Sequence, residues 1–239
     1  MIIDIHSHIL PGIDDGSKNT EMSLSMLKLM KDDGVDICVA TPHYYCTERS
    51  VESFLKKRTA AHEKLTAAME GQELPEIRLG AEVYYNPILK NLDNLHDLCI
   101  EGTDYLLFEL PYKDFGSGVA DDISEIITNH HITPIIAHAE RFLRFTSYEN
   151  LCDILEMEVL GQVNCGSLLK FSSRKNASSL IREGYIHLLG TDAHNTDTRG
   201  VHMAEAKKII IRKFGQEYFD TIMRISEDVL ANKPLQEIL

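Results

Sequence analysis

Positive charge is what this 239-residue chain has too little of: 24 Lys and Arg stand against 37 Asp and Glu, a formal net charge of −13. That balance would repel a nucleic-acid backbone or an anionic membrane, which argues against either as the main partner. A phosphorylated substrate stays open, because bound metals reverse the sign of the field locally. Long apolar runs are also missing; none approaches the ~18 residues that a membrane span needs. The opening MIIDIHSH carries no basic segment followed by an apolar stretch, so no signal peptide is expected and a cytoplasmic location is the default. The five cysteines (Cys38, Cys46, Cys99, Cys152, Cys165) are odd in number, widely spaced and free of any CxxC. Neither a disulfide framework nor a zinc ribbon is indicated. A phosphocysteine mechanism on a C-x5-R loop is excluded too, since the positions six beyond each cysteine are Tyr44, Glu52, Tyr105, Glu158 and Phe171.

What is present reads as one soluble enzyme domain. Hydrophobic content of 44% and charged content of 26% are ordinary. The length fits a single domain spanning residues 1–239, large enough to bury its core without staples. Short apolar or β-branched runs at Ile2–Ile5, Ile37–Ala40, Ile77–Val83, Tyr105–Leu110, Thr133–Ala137, Gly161–Asn164 and Ile186–Gly190 read as strands. Helical patterns fall between them: Thr20–Asp33, with Leu24, Leu27 and Met30 on one face, then Val51–Met69, Val119–Asn129, Ser147–Glu156 and Ala177–Glu183. The tail from Val201 is mostly helical. This alternation predicts a parallel α/β sheet or barrel. The segment Tyr85–Glu101 is a lid or a plain rim.

Ionisable residues gather where the strands end. His6 and His8 close the first strand and His43 follows the second. Glu82, Glu109 and His138 stand at the next three ends, and Asp192 and His194 follow the last. In parallel α/β folds the carboxyl ends of the strands share one face, where active sites sit. His6 and His8 are two apart on an extended segment and point to the same side, as do Asp192 and His194. Asp15 lies in the loop Gly12-Ile13-Asp14-Asp15-Gly16, whose glycines let it turn back toward the site. Each residue has a bland alternative: a chance HxH, a solvated strand-end carboxylate, an Asx turn at Asp14 and Asp15, a core histidine at His138. Chance would scatter such residues; here they follow apolar runs on one predicted face. Mixed imidazole and carboxylate donors suit Mn, Fe or Zn.

Taken together, MIIDIHSHILPGIDDGS, TPHYY, GAEVYY, FELP, AHAERF and TDAHN resemble the PHP (polymerase and histidinol phosphatase) superfamily. The closest resemblance is to the manganese-dependent protein-tyrosine phosphatases encoded with bacterial capsule and exopolysaccharide genes. It runs from Ile3 to about Arg199. It implies a distorted (β/α)7 TIM-like barrel holding two or three divalent metals. By motif, the implied ligands are His6, His8, Asp15, His43, Glu82, Glu109, His138, Asp192 and His194, with Glu109 bridging two metals. Arg141 and Arg199 match positions that hold the phosphate, and His194 is also a candidate proton donor. Ala139, Thr191 and one extra isoleucine at the start depart from the pattern, and none removes a ligand.

The implied reaction is direct hydrolysis of a phosphotyrosyl protein, namely a bacterial tyrosine kinase, by metal-activated water. Asp15, Glu82, Glu109 and Asp192 bring about −4 and three divalent metals about +6, so the site attracts phosphate inside an acidic protein. Tyr44, Tyr45, Tyr84, Tyr85, Tyr112 and Phe142 follow the candidate ligands closely and either receive an aryl ring or simply line the rim. Two alternatives stand beside this reading: a small-molecule phosphatase of the same superfamily, such as one acting on histidinol phosphate, and a non-catalytic metal-binding regulator of a kinase.

Overall fold

Short apolar runs become the parallel staves of a closed sheet, and the amphipathic segments between them become its coat. The computed structural model describes residues 1–239. Its strands are β1 (Ile3–Ser7), β2 (Ile37–Ala40), β3 (His43–Tyr44), β4 (Glu76–Leu79), β5 (Glu82–Tyr84), β6 (Tyr105–Glu109), β7 (Thr133–Ile136), β8 (Leu160–Asn164) and β9 (Leu188–Gly190). They pair in parallel in the orders β1-β2-β4 and β3-β5-β6-β7-β8-β9. β1, β2, β6, β8 and β9 are buried at every residue. Parallel strands covered on both faces require this, and it is why they read as continuous apolar runs rather than alternating ones.

Two staves are kinked where the sequence predicts unbroken strand or simple strand end. Gly80-Ala81 splits the expected Ile77–Val83 into β4 and β5, and Thr41-Pro42 separates β2 from β3. Proline has no N–H to give a ladder. Backbone bonds from Gly80 N to Ala40 O (2.9 Å) and from Glu82 N to Pro42 O (3.1 Å) carry the pairing across both breaks. Each broken pair is therefore one stave, which leaves the seven expected from the sequence. The ring closes where Asp192 N donates to His6 O (2.8 Å) and His8 N to Ala193 O (2.9 Å). The result is the distorted (β/α)7 barrel.

The coat consists of α1 (Thr20–Asp32), α2 (Val51–Met69), α3 (Ser117–His130), α4 (Tyr148–Leu155), α5 (Cys165–Leu169), α6 (Phe171–Arg182), α7 (Met203–Phe214), α8 (Gln216–Leu230) and α9 (Leu235–Ile238). Asn19 caps α1 by accepting from Met22 N, and Met26, Leu27 and Met30 are its buried stripe. Alternate strand residues serve different clusters. Cys38, Ala40, Leu106, Phe108 and Ile136 join the main apolar cluster, while Ile3, Ile5, Val39, Leu107 and Ile135 pack with Ile225, Val229 and Ile238 of α8 and α9. The Tyr85–Glu101 segment is a packed rim. It forms two short 3₁₀ turns with Leu89, Leu95 and Leu98 buried, tied to α3 by Tyr85 Oη donating to Asp122 (2.6 Å) and Lys90 to Asp122 (2.9 Å).

The join between β8 and β9 contains a pH-sensitive contact remote from the ionisable cluster. Gly161 N donates to His187 Nδ1 (3.1 Å), and His187 N returns a bond to Gly161 O (2.8 Å). Burial pushes the His187 imidazole down to about 4 from an ordinary 6.5. The folded chain thus refuses a proton that the unfolded chain takes up, so stability present above pH 6.5 falls away as the pH drops toward about 4. Urea unfolding measured between those pH values is expected to show a loss on the order of 1–3 kcal/mol that His187→Gln, which keeps an acceptor, removes. An unchanged pH slope in the variant would show that His187 does not titrate with folding.

Candidate active site

The barrel's carboxyl end brings all nine expected metal ligands into contact. His6 Nε2 and His8 Nε2 lie 3.1 Å apart, and both face Glu82 Oε2, at 3.3 and 3.2 Å. Asp192 Oδ1 is 3.6 Å from His6 Nε2 and 3.5 Å from His8 Nε2. His43 spans the cluster, with Nδ1 2.9 Å from Glu82 Oε2 and Nε2 3.4 Å from Asp15 Oδ1. His194 Nε2 lies 3.2 Å from the same Asp15 oxygen, and His138 Nε2 lies 2.8 Å from Glu82 and 3.3 Å from Glu109. Three overlapping donor groups result: His8, Asp15, His43 and His194; His6, His8 and Asp192; His43, Glu82 and Glu109. Within each, the ligand atoms lie within 4.8 Å of one another. Two of the residues hold left-handed backbone, His138 at φ 34° and Asp192 at φ 51°. Non-glycine residues hold that conformation only where their surroundings enforce it, and such positions concentrate at functional sites.

A ring of buried partners fixes which imidazole nitrogen faces the cluster. Asp14 Oδ2 accepts from His8 Nδ1 (2.7 Å), Gln162 Oε1 from His6 Nδ1 (3.2 Å), and the Asp192 carbonyl from His194 Nδ1 (2.9 Å). An oxygen of this kind only accepts, so each Nδ1 carries the hydrogen and each Nε2 presents a lone pair inward. The turn reading of Asp14 holds as well, since its Oδ1 takes Gly16 N (2.9 Å); its Oδ2 also takes His43 N (3.0 Å). Gln162 continues to Asn164 Oδ1 (2.9 Å), and Asn164 Nδ2 donates to Asp192 (2.7 Å). Beneath them, buried Asp4 takes Thr191 N (2.8 Å) and Thr191 Oγ1 (2.6 Å) and so anchors the turn that carries Asp192. Sequence reading missed Asp4 and Gln162 and left Asp14 as a turn residue. Their signal was polarity inside apolar strands, at Asp4 two before His6 and at Gln162 two before Asn164. Gly16 and Gly190 leave room for His8 and His6, for a Cβ on Gly16 would come within 2.4 Å of His8 Cβ and one on Gly190 within 2.7 Å of His6 Cβ.

Electrostatics favours cations here. Burial opposes ionisation of Asp192, and His6 and Arg141 override it, holding the carboxyl well below its usual range. Glu82 is likewise buried yet held far down by His6, His138 and His43. The hydrogen bond from His43 lowers Asp15. Burial opposes protonation of His43, and its bonds to Asp15 and Glu82 outweigh that, raising it to about 11. The carboxylates thus draw protons onto imidazoles where no other cation neutralises them, and a metal takes the place of such protons.

The residues fit divalent metals on a second ground. Glu82 Oε2, His43 Nδ1, His138 Nδ1 and His194 Nε2 are buried without an aligned hydrogen-bond partner. Three of these atoms, Glu82 Oε2, His43 Nδ1 and His194 Nε2, belong to the one donor cluster, and unpartnered buried donors and acceptors gathered in one spot suit an ion. Arg141 and Arg199 stand over the cluster. Arg141 Nη2 donates to Asp192 Oδ2, and Arg199 Nη2 reaches Asp192 at 3.0 and 3.2 Å. Together with His43, Glu82, Glu109, His138, Tyr45 and Tyr112 they line a cavity of about 170 Å³. An aromatic arc follows its mouth: Tyr45 to Tyr84 at 5.6 Å between centroids, Tyr84 to Tyr112 at 6.4 Å, and Tyr112 to Phe145 at 5.4 Å. Tyr112 Oη donates to Glu109. Tyr44 does not join the arc; it is buried against Phe54.

Comparison with known proteins agrees with this geometry. A tyrosine-protein phosphatase, CpsB of Streptococcus agalactiae serotype V, is 31% identical over 230 residues, covering 90% of this chain and 92% of that protein. Tyrosine-protein phosphatase YwqE of Bacillus subtilis is 30% identical over 246 residues, covering 98% and 93%. A crystal structure from work on YwqE of B. subtilis and CpsB of Streptococcus pneumoniae, described as unique metal-dependent tyrosine phosphatases, superposes with a TM-score of 0.85. It does so at 25% identity over 97% of this chain and 95% of the other. The family model for capsular polysaccharide synthesis, CpsB/CapC, matches residues 2–231, so the chain belongs to the CpsB/CapC family.

Proposed function

We infer that this chain is a metal-dependent tyrosine-protein phosphatase of capsular polysaccharide synthesis, acting on a phosphotyrosyl protein. The observation that carries this is the convergence of five imidazoles and four carboxylates beneath two arginines, in a chain matched along its length by proteins of that name. His6, His8, Asp15, His43, Glu82, Glu109, His138, Asp192 and His194 are proposed to hold two or three divalent ions. Manganese is the metal proposed, from the nitrogen and oxygen donors and the resemblance to manganese-dependent phosphatases. The chemistry such ions supply is a water acidic enough to attack at neutral pH, together with neutralisation of phosphate charge. The proposed protein substrate is a bacterial tyrosine kinase.

The chain's own residues bind, orient and hold charge. Arg141 and Arg199 offer planar pairs of donors that match two phosphoryl oxygens, and they sit where negative charge grows in the transition state. Asp192 restrains both guanidinium groups, so little ordering is left to do when phosphate arrives. Tyr45, Tyr84 and Tyr112 provide an apolar wall for the phenyl ring. His194 is proposed to act only as a ligand, because its Nδ1–H is engaged by the Asp192 carbonyl and its Nε2 lone pair faces inward. A phenolate leaving group, with a conjugate-acid pKa of ~10, departs with less protonic help than an alkoxide needs.

The direct test is kcat/KM of metal-stripped protein reconstituted with Mn²⁺, on a phosphotyrosyl peptide and on histidinol phosphate. A preference for the peptide of at least about 100-fold is expected, and a preference for histidinol phosphate would move the protein to small-molecule chemistry. Arg141→Ala is expected to keep its metal content by atomic emission while losing about 10²–10³ in kcat/KM; metal loss in that variant would overturn its role. Asp14→Asn, which retains the turn, is expected to weaken metal binding by about 10- to 100-fold in titration calorimetry, and unchanged affinity would reduce Asp14 to a turn residue.

A further inference from the structure

A second cavity, of about 440 Å³, adjoins the one that contains the metal-ligand atoms, and the two share Tyr112, Arg141 and Arg199 in their walls. Its charge is opposite to that of the protein. Arg141, Arg144, Lys170 and Arg199 border it, against two carboxylates, Glu140 and Asp192, in a chain whose formal net charge is −13. Asp192 is engaged by both shared arginines and by Asn164 Nδ2. Glu140 is 1% exposed, and its Oε1 receives the Asn164 N–H at 3.4 Å. His202, also in the wall, is bonded to Glu205. Arg144 and Lys170 are exposed and engage no side-chain hydrogen bond or ion pair. Two unpaired cations therefore look into a concave space beside the reacting centre.

The reacting phosphoryl group does not need them. Glu82, Glu109, His43 and His138 border the smaller cavity, whereas the larger one contains only Asp192 from the donor set. A free aryl phosphate also cannot fill both. A polypeptide can, because each extended residue advances it by about 3.3–3.6 Å, placing a neighbour within three positions of the target about 10 Å away. Fixed cations in a recess raise the local concentration of anions and reward whichever substrate carries one there. Phe145 and Phe171, 39% and 91% exposed, are apolar surface next to the cavity residues Arg144 and Lys170 along the chain, suited to the backbone and side chains of a bound segment.

We propose that this cavity is a subsite for an anionic side chain, a carboxylate or a second phosphoryl group, that flanks the target phosphotyrosine in the protein substrate. This rests on the phosphatase reading above. The subsite makes Arg144 and Lys170 specificity determinants: they act on which tyrosine is presented and leave the bond-breaking step alone.

Full-length protein, wild type and Arg144→Gln/Lys170→Gln, is reconstituted with Mn²⁺ and assayed on p-nitrophenyl phosphate and three phosphotyrosyl peptides. The peptides differ only in flanking residues: Glu, phosphotyrosine or Ala within three positions. Anisotropy with non-hydrolysable phosphonate versions of the same peptides provides a binding readout that does not depend on turnover. Wild type is expected to favour either anionic peptide over the Ala peptide by about five- to tenfold, through KM and Kd, with the advantage falling as salt rises. The Glu and phosphotyrosine arms separate the two sources of the anion. The double variant is expected to lose that preference while p-nitrophenyl phosphate turnover stays within about twofold. Equal binding of all three peptides by wild type, or a preference that survives in the double variant, would overturn the subsite. So would loss of p-nitrophenyl phosphate turnover in a folded double variant, since that would place the two cations in the catalytic step. Wild-type inactivity on every substrate would sink the phosphatase reading instead, and the anisotropy series would still decide whether the cavity selects anions.

Discussion

Three buried carboxylates and a fourth at their rim cannot share one cluster unless positive charge stands among them, and most of the structure around the site answers that constraint. Asp15, Glu82, Glu109 and Asp192 lie within contact distance of five imidazoles, with two guanidinium groups on Asp192. Ionised carboxylates in low dielectric are stable only when paired. With imidazoles alone, the pairing depends on protons that several of those histidines would not otherwise keep, and His43 is raised to about 11 in consequence. Divalent ions resolve the same imbalance without protonating the ligands and leave net positive charge for a phosphate. The need for cations and the capacity for phosphate chemistry therefore have one electrostatic origin.

Rigidity supplies the rest. The barrel closes through backbone bonds between the segment after β9 and β1, which are the two places where residues of the donor cluster occur in i, i+2 pairs. Closure and placement of the donor cluster are thus one event: His8 N and Asp192 N, from two residues of the cluster, are themselves donors in the closing ladder. Beneath it, Asp4 ties Thr191 to β1, and Gln162 ties His6 and the His138 backbone to β8. Residues that never touch a substrate therefore decide where Nε2 lone pairs point. A metal cluster depends on angles as much as on ligand identity.

The same molecule keeps opposite signs of charge in separate places. Its surface is acidic overall, while Arg141, Arg144, Lys170 and Arg199 gather at the mouth. A uniformly negative enzyme would repel phosphoproteins, and a uniformly positive one would collect nucleic acid. Arg141 and Arg199 stand over the donor cluster, with the aromatic arc beside them, whereas Arg144 and Lys170 border only the adjoining cavity.

Linear sequence alone determined the order of alternating strands and helices and named the residues that cluster at one end of it. Seven apolar runs alternating with amphipathic stretches call for a parallel α/β sheet or barrel, and residues at its strand ends gather because parallel strands share one carboxyl face; the resemblance of the motifs pointed to the barrel. His6 and His8, or Asp192 and His194, could be named because a two-residue spacing on extended chain is a local property. Contacts that join distant strands carry no such local mark. Asp14 resembles any turn residue until its bond to His8 Nδ1 is seen, and Gln162 is one polar residue in an apolar run until its reach to His6, two staves away, is seen. The breaks at Pro42 and Gly80 belong to this class as well, since only the neighbouring stave shows that the ladder continues past them. The second basic cavity is wholly tertiary: Arg144, Lys170 and Arg199 are far apart in the chain and share a wall only because the barrel closes.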